Sequence, residues 1–86
     1  MLDKETRRAL KAQAHPLKPL IQIGRNGLTP AAIANIDQSL ADHTLIKVRF
    51  NDHKAQKREL SQSIAEQTGA DIVDLIGNTL ILHREN

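Results

Sequence analysis

Apolar and polar positions alternate along this chain with two different periods, and each stretch predicts an element. Thr6, Ala9, Leu10 and Gln13 recur at helical spacing, which predicts a helix over Lys4 to Ala14 with Asp3 as its N-cap. His15-Pro16 ends it, because the residue before proline is disfavoured in the α region. Leu20 to Ile23 is a short apolar run stopped by Gly24, which predicts a strand. Thr29-Pro30-Ala31 reads as an N-cap, a first helical residue with its φ already set, and a helix body. Ile33, Ile36 and Leu40 give that second helix, Pro30 to Ala41, its buried stripe. Through Leu45 to Phe50, Ile46, Val48 and Phe50 alternate with Lys47 and Arg49, so a second strand has one dry face and one wet face. Asn51 or Asp52 caps a third helix, His53 to Thr68, with Leu60, Ile64 and Ala65 inward and Gly69 closing it. Ile72 to Ile76 and Thr79 to His83 are two further strands, joined by Gly77-Asn78 as a tight hairpin.

The order is therefore α-β-α-β-α-β-β. Strand–helix–strand units favour parallel pairing through a right-handed crossover, and the hairpin adds an antiparallel strand. The expected class is α/β (α+β), a two-layer fold with helices packed on a mixed four-stranded sheet. At 86 residues the chain reads as one domain, 1–86, with a modest margin of burial. No apolar run approaches the roughly 20 residues that cross a bilayer. Met1-Leu2-Asp3-Lys4-Glu5 lacks the apolar core of a signal peptide, and cysteine is absent. The expected location is cytoplasmic.

Charge changes the picture more than composition does. The net charge is +2, but residues 1 to 30 carry six cations (Lys4, Arg7, Arg8, Lys11, Lys18, Arg25) against Asp3 and Glu5. The remainder of the chain is net acidic, with six cations against eight acids. Lys4, Arg7, Arg8 and Lys11 fall at i, i+3, i+4 and i+7 of the first helix. By helical geometry they centre roughly 170° from the Thr6, Ala9, Leu10 and Gln13 face. No acid on the same helix stands at i+4 to neutralise them. Such concentration is a footprint of polyanion binding, and its plainer alternative is a solvated face.

The basic segment also holds the tetrapeptide Gly24-Arg25-Asn26-Gly27, between the first strand and the second helix. Two glycines leave the backbone free of Cβ atoms, and the helix N-terminus behind them favours phosphate. A G-x-x-G loop that clamps the nucleic-acid backbone is how KH domains hold RNA.

The stretch from His15 to Thr29, His-Pro-Leu-Lys-Pro-Leu-Ile-Gln-Ile-Gly-Arg-Asn-Gly-Leu-Thr, resembles the signature of the CRM domain, the chloroplast RNA splicing and ribosome maturation domain. It is most similar to the free-standing bacterial form, the YhbY-like RNA-binding proteins. Leu45-Ile46-Lys47-Val48, Thr68-Gly69-Ala70 and Ile76-Gly77-Asn78-Thr79-Leu80-Ile81-Leu82 extend the resemblance over about Leu2 to Arg84. It implies a fold similar to the C-terminal domain of translation initiation factor three, with strand order 1-2-4-3. It also implies an RNA-binding protein that associates with ribosomal RNA of the large-subunit precursor and assists ribosome assembly. A monomer is expected. Carried onto this chain, Gly24 and Gly27 permit close approach, and Arg25 and Asn26 contact RNA. Lys4, Arg7, Arg8, Lys11 and Lys18 supply phosphate contacts. Glu85-Asn86 follows Arg84 where many relatives carry a basic tail, so no added affinity from a tail is expected.

Other chemistries find little support in the residues. Ser39, Ser61 and Ser63 lie in helical patterns, and His15, His43, His53 and His83 lack metal-ligand spacing. The glycine loop has neither the Gly-Lys-Ser/Thr of a nucleotide-binding loop nor the third glycine of a dinucleotide fingerprint. No enzyme and no cofactor are expected. Phe50 is the lone aromatic among Phe, Tyr and Trp and belongs to the core, so a stacking sheet cannot form. Affinity should come from phosphates, and base readout from Asn26, Gln22 or His15. His15 could instead satisfy backbone groups at its helix end. Lys47 and Arg49 either extend the basic surface or are covered by a helix. The rival readings are a regulator of another structured RNA and an adaptor that sets the basic helix against an acidic protein.

Overall fold

The computed structural model describes residues 2–85. Helix α1, Lys4–Ala14, starts where the Asp3 carboxylate accepts the Thr6 N–H at 2.7 Å. Strand β1, Ile21–Ile23, is one residue shorter than expected, because Leu20 stays half exposed. Helix α2, Pro30–His43, is capped by Thr29, whose hydroxyl accepts the Ala32 N–H at 3.1 Å. It runs two residues past the expected Ala41 and ends at Thr44, which takes a positive φ of 59°. Strand β2, Leu45–Phe50, alternates as the sequence requires.

The third helix starts later than the sequence suggests. His53 is left-handed (φ 57°, ψ 34°), so the chain makes a 3₁₀ turn over Lys54–Gln56 before α3, Lys57–Thr68. Neither Asn51 nor Asp52 caps α3; its N-cap is Gln56, which makes no side-chain cap bond. Strand β3, Asp71–Ile76, carries an irregularity between Ile72 and Asp74, and β4, Thr79–His83, follows through the hairpin.

The sheet order is β1-β2-β4-β3. Strands β1 and β2 are parallel, and β4 pairs antiparallel with both β2 and β3. The last strand thus sits inside the sheet, between the two strands that α3 connects. Alternation then sorts β4: Leu80 and Leu82 face one side, and Ile81 faces the other. On the first side, Ile36 and Leu40 of α2 and Ile64 of α3 pack on Ile23, Ile46, Val48, Phe50, Leu80 and Leu82. This is the expected two-layer unit. Helix α1 adds a partial third layer on the opposite face, where Leu10 and Ala14 meet Val73 and Ile81.

That docking corrects the expected face of α1. Thr6, Ala9 and Gln13 are exposed, and contact with the sheet is made by Leu10 and Ala14. The buried direction therefore turns by about one residue position from the averaged apolar face. The cationic stripe consequently flanks the docked seam instead of standing opposite it.

Candidate nucleic-acid interface

Three connections meet at the end of the sheet where β1 and β2 finish. The Ile23 carbonyl accepts the backbone N–H groups of Asn51 (2.9 Å) and Asp52 (3.2 Å). Asn51 also donates its side-chain amide to Gln22. Phe50 N–H donates to the Asn78 carbonyl at 2.8 Å, and Lys57 Nζ to the Gly77 carbonyl at 2.7 Å. The glycine loop, the β2–α3 connection and the β3–β4 hairpin are thereby tied into one rim.

The glycine loop is a closed turn: Gly27 N–H donates to the Gly24 carbonyl at 3.0 Å. Its two glycines have different causes. Gly27 has φ +68°, and a Cβ there would lie 3.3 Å from His53 Nε2. Gly24 has an ordinary φ, and a Cβ there would meet nothing within 4 Å. The fold itself favours glycine at position 27 and leaves position 24 open to whatever approaches from outside.

His53 is the residue that sequence reasoning missed. Its Nε2 lies 2.8 Å from the Arg25 carbonyl. A carbonyl can only accept, so that nitrogen carries a proton and donates. The left-handed backbone that delays α3 is what aims this ring at the loop, at a strain cost of about 1–2 kcal/mol. The signal in the sequence was the polar run Asn51-Asp52-His53, where Asn51 or Asp52 reads as the cap and His53 as the first helical residue.

Within the described residues, the backbone N–H groups of Arg25, Asn26, Leu28, Thr29 and Ala31 have no acceptor. Pro30 has no N–H, and Thr29 takes that of Ala32. The helix end itself therefore offers one free donor, and the loop offers the others. Arg25 and Asn26 are exposed beside them, with no side-chain partner. Donors fixed around an exposed turn form a cradle for an oxyanion such as phosphate.

The cations divide by what they already hold. Lys11 Nζ pairs with Asp74 at 2.9 Å, an acid supplied by β3 and not by the helix. The hydrogen bond from Lys11, reinforced by the Leu75 N–H and by the charges of Lys11 and Arg7, holds the Asp74 carboxyl below its ordinary pKa. The expectation of an unneutralised stripe is corrected accordingly. Lys4 and Arg8 are exposed and have no partner among the described residues. Arg7 leans the other way, into a hollow with Leu2, Gln62, Ala65 and Asp71. Lys18 lines a separate groove with Leu17, Leu20, His43 and Thr44, at the far end of β1 and α2 from the glycine loop. Fourteen helical residues separate those ends, roughly 20 Å.

Lys47 and Arg49, left open by the sequence, part company. Lys47 Nζ donates to the His15 (3.2 Å) and Leu17 (3.0 Å) carbonyls and so closes the C-terminal end of α1. Arg49 is exposed and has no partner among the described residues. Register places it between Gln22 and Thr79, and directly paired residues share a face. The row Gln22-Arg49-Thr79 thus spans the uncovered part of the α1 face. It connects the glycine-loop rim to the flank of α1 where Lys11 and His15 meet Ile76 and Thr79. The residues brought together are Gly24 to Gly27, Arg49, His53, Arg8 and Lys11, with Lys4 further along the same flank. Those left apart are Arg7 and Lys18. Among the described residues, no group of three His, Asp or Glu could hold a metal ion.

These features define a class: a mixed α/β module that offers backbone donors at a glycine turn and a basic flank across one sheet face. The family can be stated as well. The model of the CRS1 / YhbY (CRM) domain matches residues 2–84, and the chain belongs to that family. A probable RNA-binding protein of Pseudomonas aeruginosa is 33% identical over 86 residues, covering 99% of this chain and 83% of the relative. An RNA-binding protein of Haemophilus influenzae is 36% identical over 84 residues, covering 96% and 85%. The solution structure of a hypothetical Staphylococcus aureus protein, described as a candidate RNA binder, superposes with a TM-score of 0.86. The two are 33% identical, and the match covers 100% of this chain and 91% of that one. The strand order implied by the resemblance is the order observed.

Proposed function

We propose that this protein binds RNA through phosphates and, as a cytosolic monomer, assists assembly of the large ribosomal subunit on its precursor RNA. The observation that carries the RNA reading is the glycine turn. It is braced by His53 from within, yet it leaves a run of backbone donors unspent beside Arg25. The relatives named as RNA-binding support the same reading. The ribosomal target rests on the family resemblance of residues 15 to 29. Binding is non-enzymatic: the RNA backbone lies over the turn, Gly24 admits it, and Arg49, Arg8, Lys11 and Lys4 neutralise successive phosphates.

The test is binding to large-subunit RNA across a salt series, with co-sedimentation on precursor particles. With about four to six phosphates neutralised, log affinity should fall against log salt with a slope of roughly −3 to −5. A flat salt response removes the phosphate reading. Salt-sensitive RNA binding without co-sedimentation removes only the ribosomal one.

A further inference from the structure

On the α1 face a hollow of about 270 Å³ lies between the end of α1 and the β3–β4 hairpin. It is lined by Lys11, His15, Lys47, Ile76, Thr79 and Ile81. That volume falls just below the roughly 300–1,000 Å³ of pockets for drug-sized ligands, so it suits a single small ring system. A second groove, of about 500 Å³, runs along Arg8, Lys11, Ala12 and His15 and shares two of its walls.

The hollow looks basic, but both of its cations already have partners. Lys11 is paired with Asp74, and Lys47 is committed to two carbonyls. The polar groups that remain are the His15 imidazole and the Thr79 hydroxyl, neither of which has a side-chain partner among the described residues. The rest is apolar. Ile81 forms the buried wall, and Ile76 is 50% exposed, one of three large hydrophobics left in solvent among the described residues. A phosphate inside the hollow would have to compete with Asp74 for Lys11 and with two carbonyls for Lys47. A flat group with an apolar face and hydrogen-bonding edges would find a ring to stack on, an aliphatic wall and a hydroxyl. His15 therefore does not serve its own helix end, since Lys47 does that, and its ring is free.

We propose that this hollow receives one unpaired nucleobase of the bound RNA, while the strand's backbone follows the Arg8–Lys11 groove beside it. The proposal rests on the RNA-binding reading and deepens it: the protein selects structured RNA that carries an unstacked base. Imidazole is among the rings that proteins stack on unpaired bases, so the scarcity of Phe, Tyr and Trp does not remove this mode. The basic groove at the mouth supplies the complementary charge that brings a nucleic acid, and not an apolar peptide, to this wall.

The experiment compares a perfect RNA duplex with the same duplex bearing one extra unpaired 2-aminopurine. The wild type should prefer the bulged RNA by roughly five- to a hundredfold, the span of one base stack. The 2-aminopurine emission should change on binding. Ile76→Ser, at an exposed position, should bring the preference close to one while leaving duplex affinity and salt slope as in the wild type. His15→Ala should do the same. Equal wild-type affinity for the two RNAs overturns the proposal, as does a preference that survives both substitutions. Equal losses on both RNAs would make the hollow part of the phosphate track and overturn it too. Binding of neither RNA would instead bring down the RNA reading itself.

Discussion

The glycine-loop rim and the α1 flank offer positive potential by opposite means. At the rim the donors are backbone N–H groups, held by the Gly27–Gly24 bond and by His53. They cannot titrate or swing away, and little conformational entropy remains to lose on binding. On α1 the donors are long side chains, and one of them, Lys11, is already engaged by Asp74. The rim sets position, and the flank adjusts strength. Phosphate contacts that fix register and those that add affinity are thus assigned to different parts of the molecule.

The largest effect should come from Gly24→Asp. The open space at that position keeps the fold, with stability within about 0.5 kcal/mol of wild type. A carboxylate against the RNA backbone costs several kcal/mol, so affinity should fall by about a hundredfold or more. Gly27→Ala should behave in reverse. Its positive φ and the His53 ring make it cost about 1–2 kcal/mol of stability, read as a lower melting temperature. If Gly24→Asp binds as before, the rim is not the contact.

Next in size is the flank. Replacing Lys4, Arg8 and Lys11 with Gln should leave the circular dichroism unchanged and make the salt slope shallower by about two to three units. An unchanged slope would make the flank a solvated face. A smaller change isolates the brace: His53→Gly keeps the left-handed backbone without strain and removes the ring. RNA affinity should drop about three- to tenfold while α3 stays intact. Retention of full affinity would show that the turn holds its shape alone.

The smallest effect has the opposite sign. Asp74→Asn frees Lys11 and removes a negative charge from the flank, so RNA affinity at low salt should rise about two- to fivefold. The pair is partly exposed, so it contributes no more than about 1 kcal/mol of stability. Because the folded pKa of Asp74 is lowered, that contribution persists through neutral and weakly acid pH. It fades only as pH falls below the usual carboxylate range, where the unfolding curves of variant and wild type should converge.

Local signals made most of the fold legible. Asp3 and Thr29 cap where they should, the alternation from Ile46 to Phe50 is the observed burial, and Gly69 closes α3. The errors lie where a distant contact decides. The seam of α1 was misplaced because Leu10 and Ala14 are chosen by Val73 and Ile81, some sixty residues on. The start of α3 was misplaced because His53 gives up helical geometry to reach Arg25. The glycine turn was visible as a motif, but only packing separates the need for Gly27 from the freedom at Gly24. Likewise Lys47 and Arg49 look equivalent in the strand until α1 crosses one and not the other.

The inserted position of β4 has a consequence for how the protein is made. In chain order β1, β2, α3 and β3 all precede residues 79 to 83, and β2 and β3 have no pairing partner between them without those residues. The nascent chain therefore carries two open strand edges and an uncovered apolar face, the state most prone to wrong association. The five residues of β4 fill the gap between β2 and β3 and carry Leu80, Ile81 and Leu82 into the core. A chain stalled before Thr79 should remain protease-sensitive, and release of the next few residues should convert the whole sheet together.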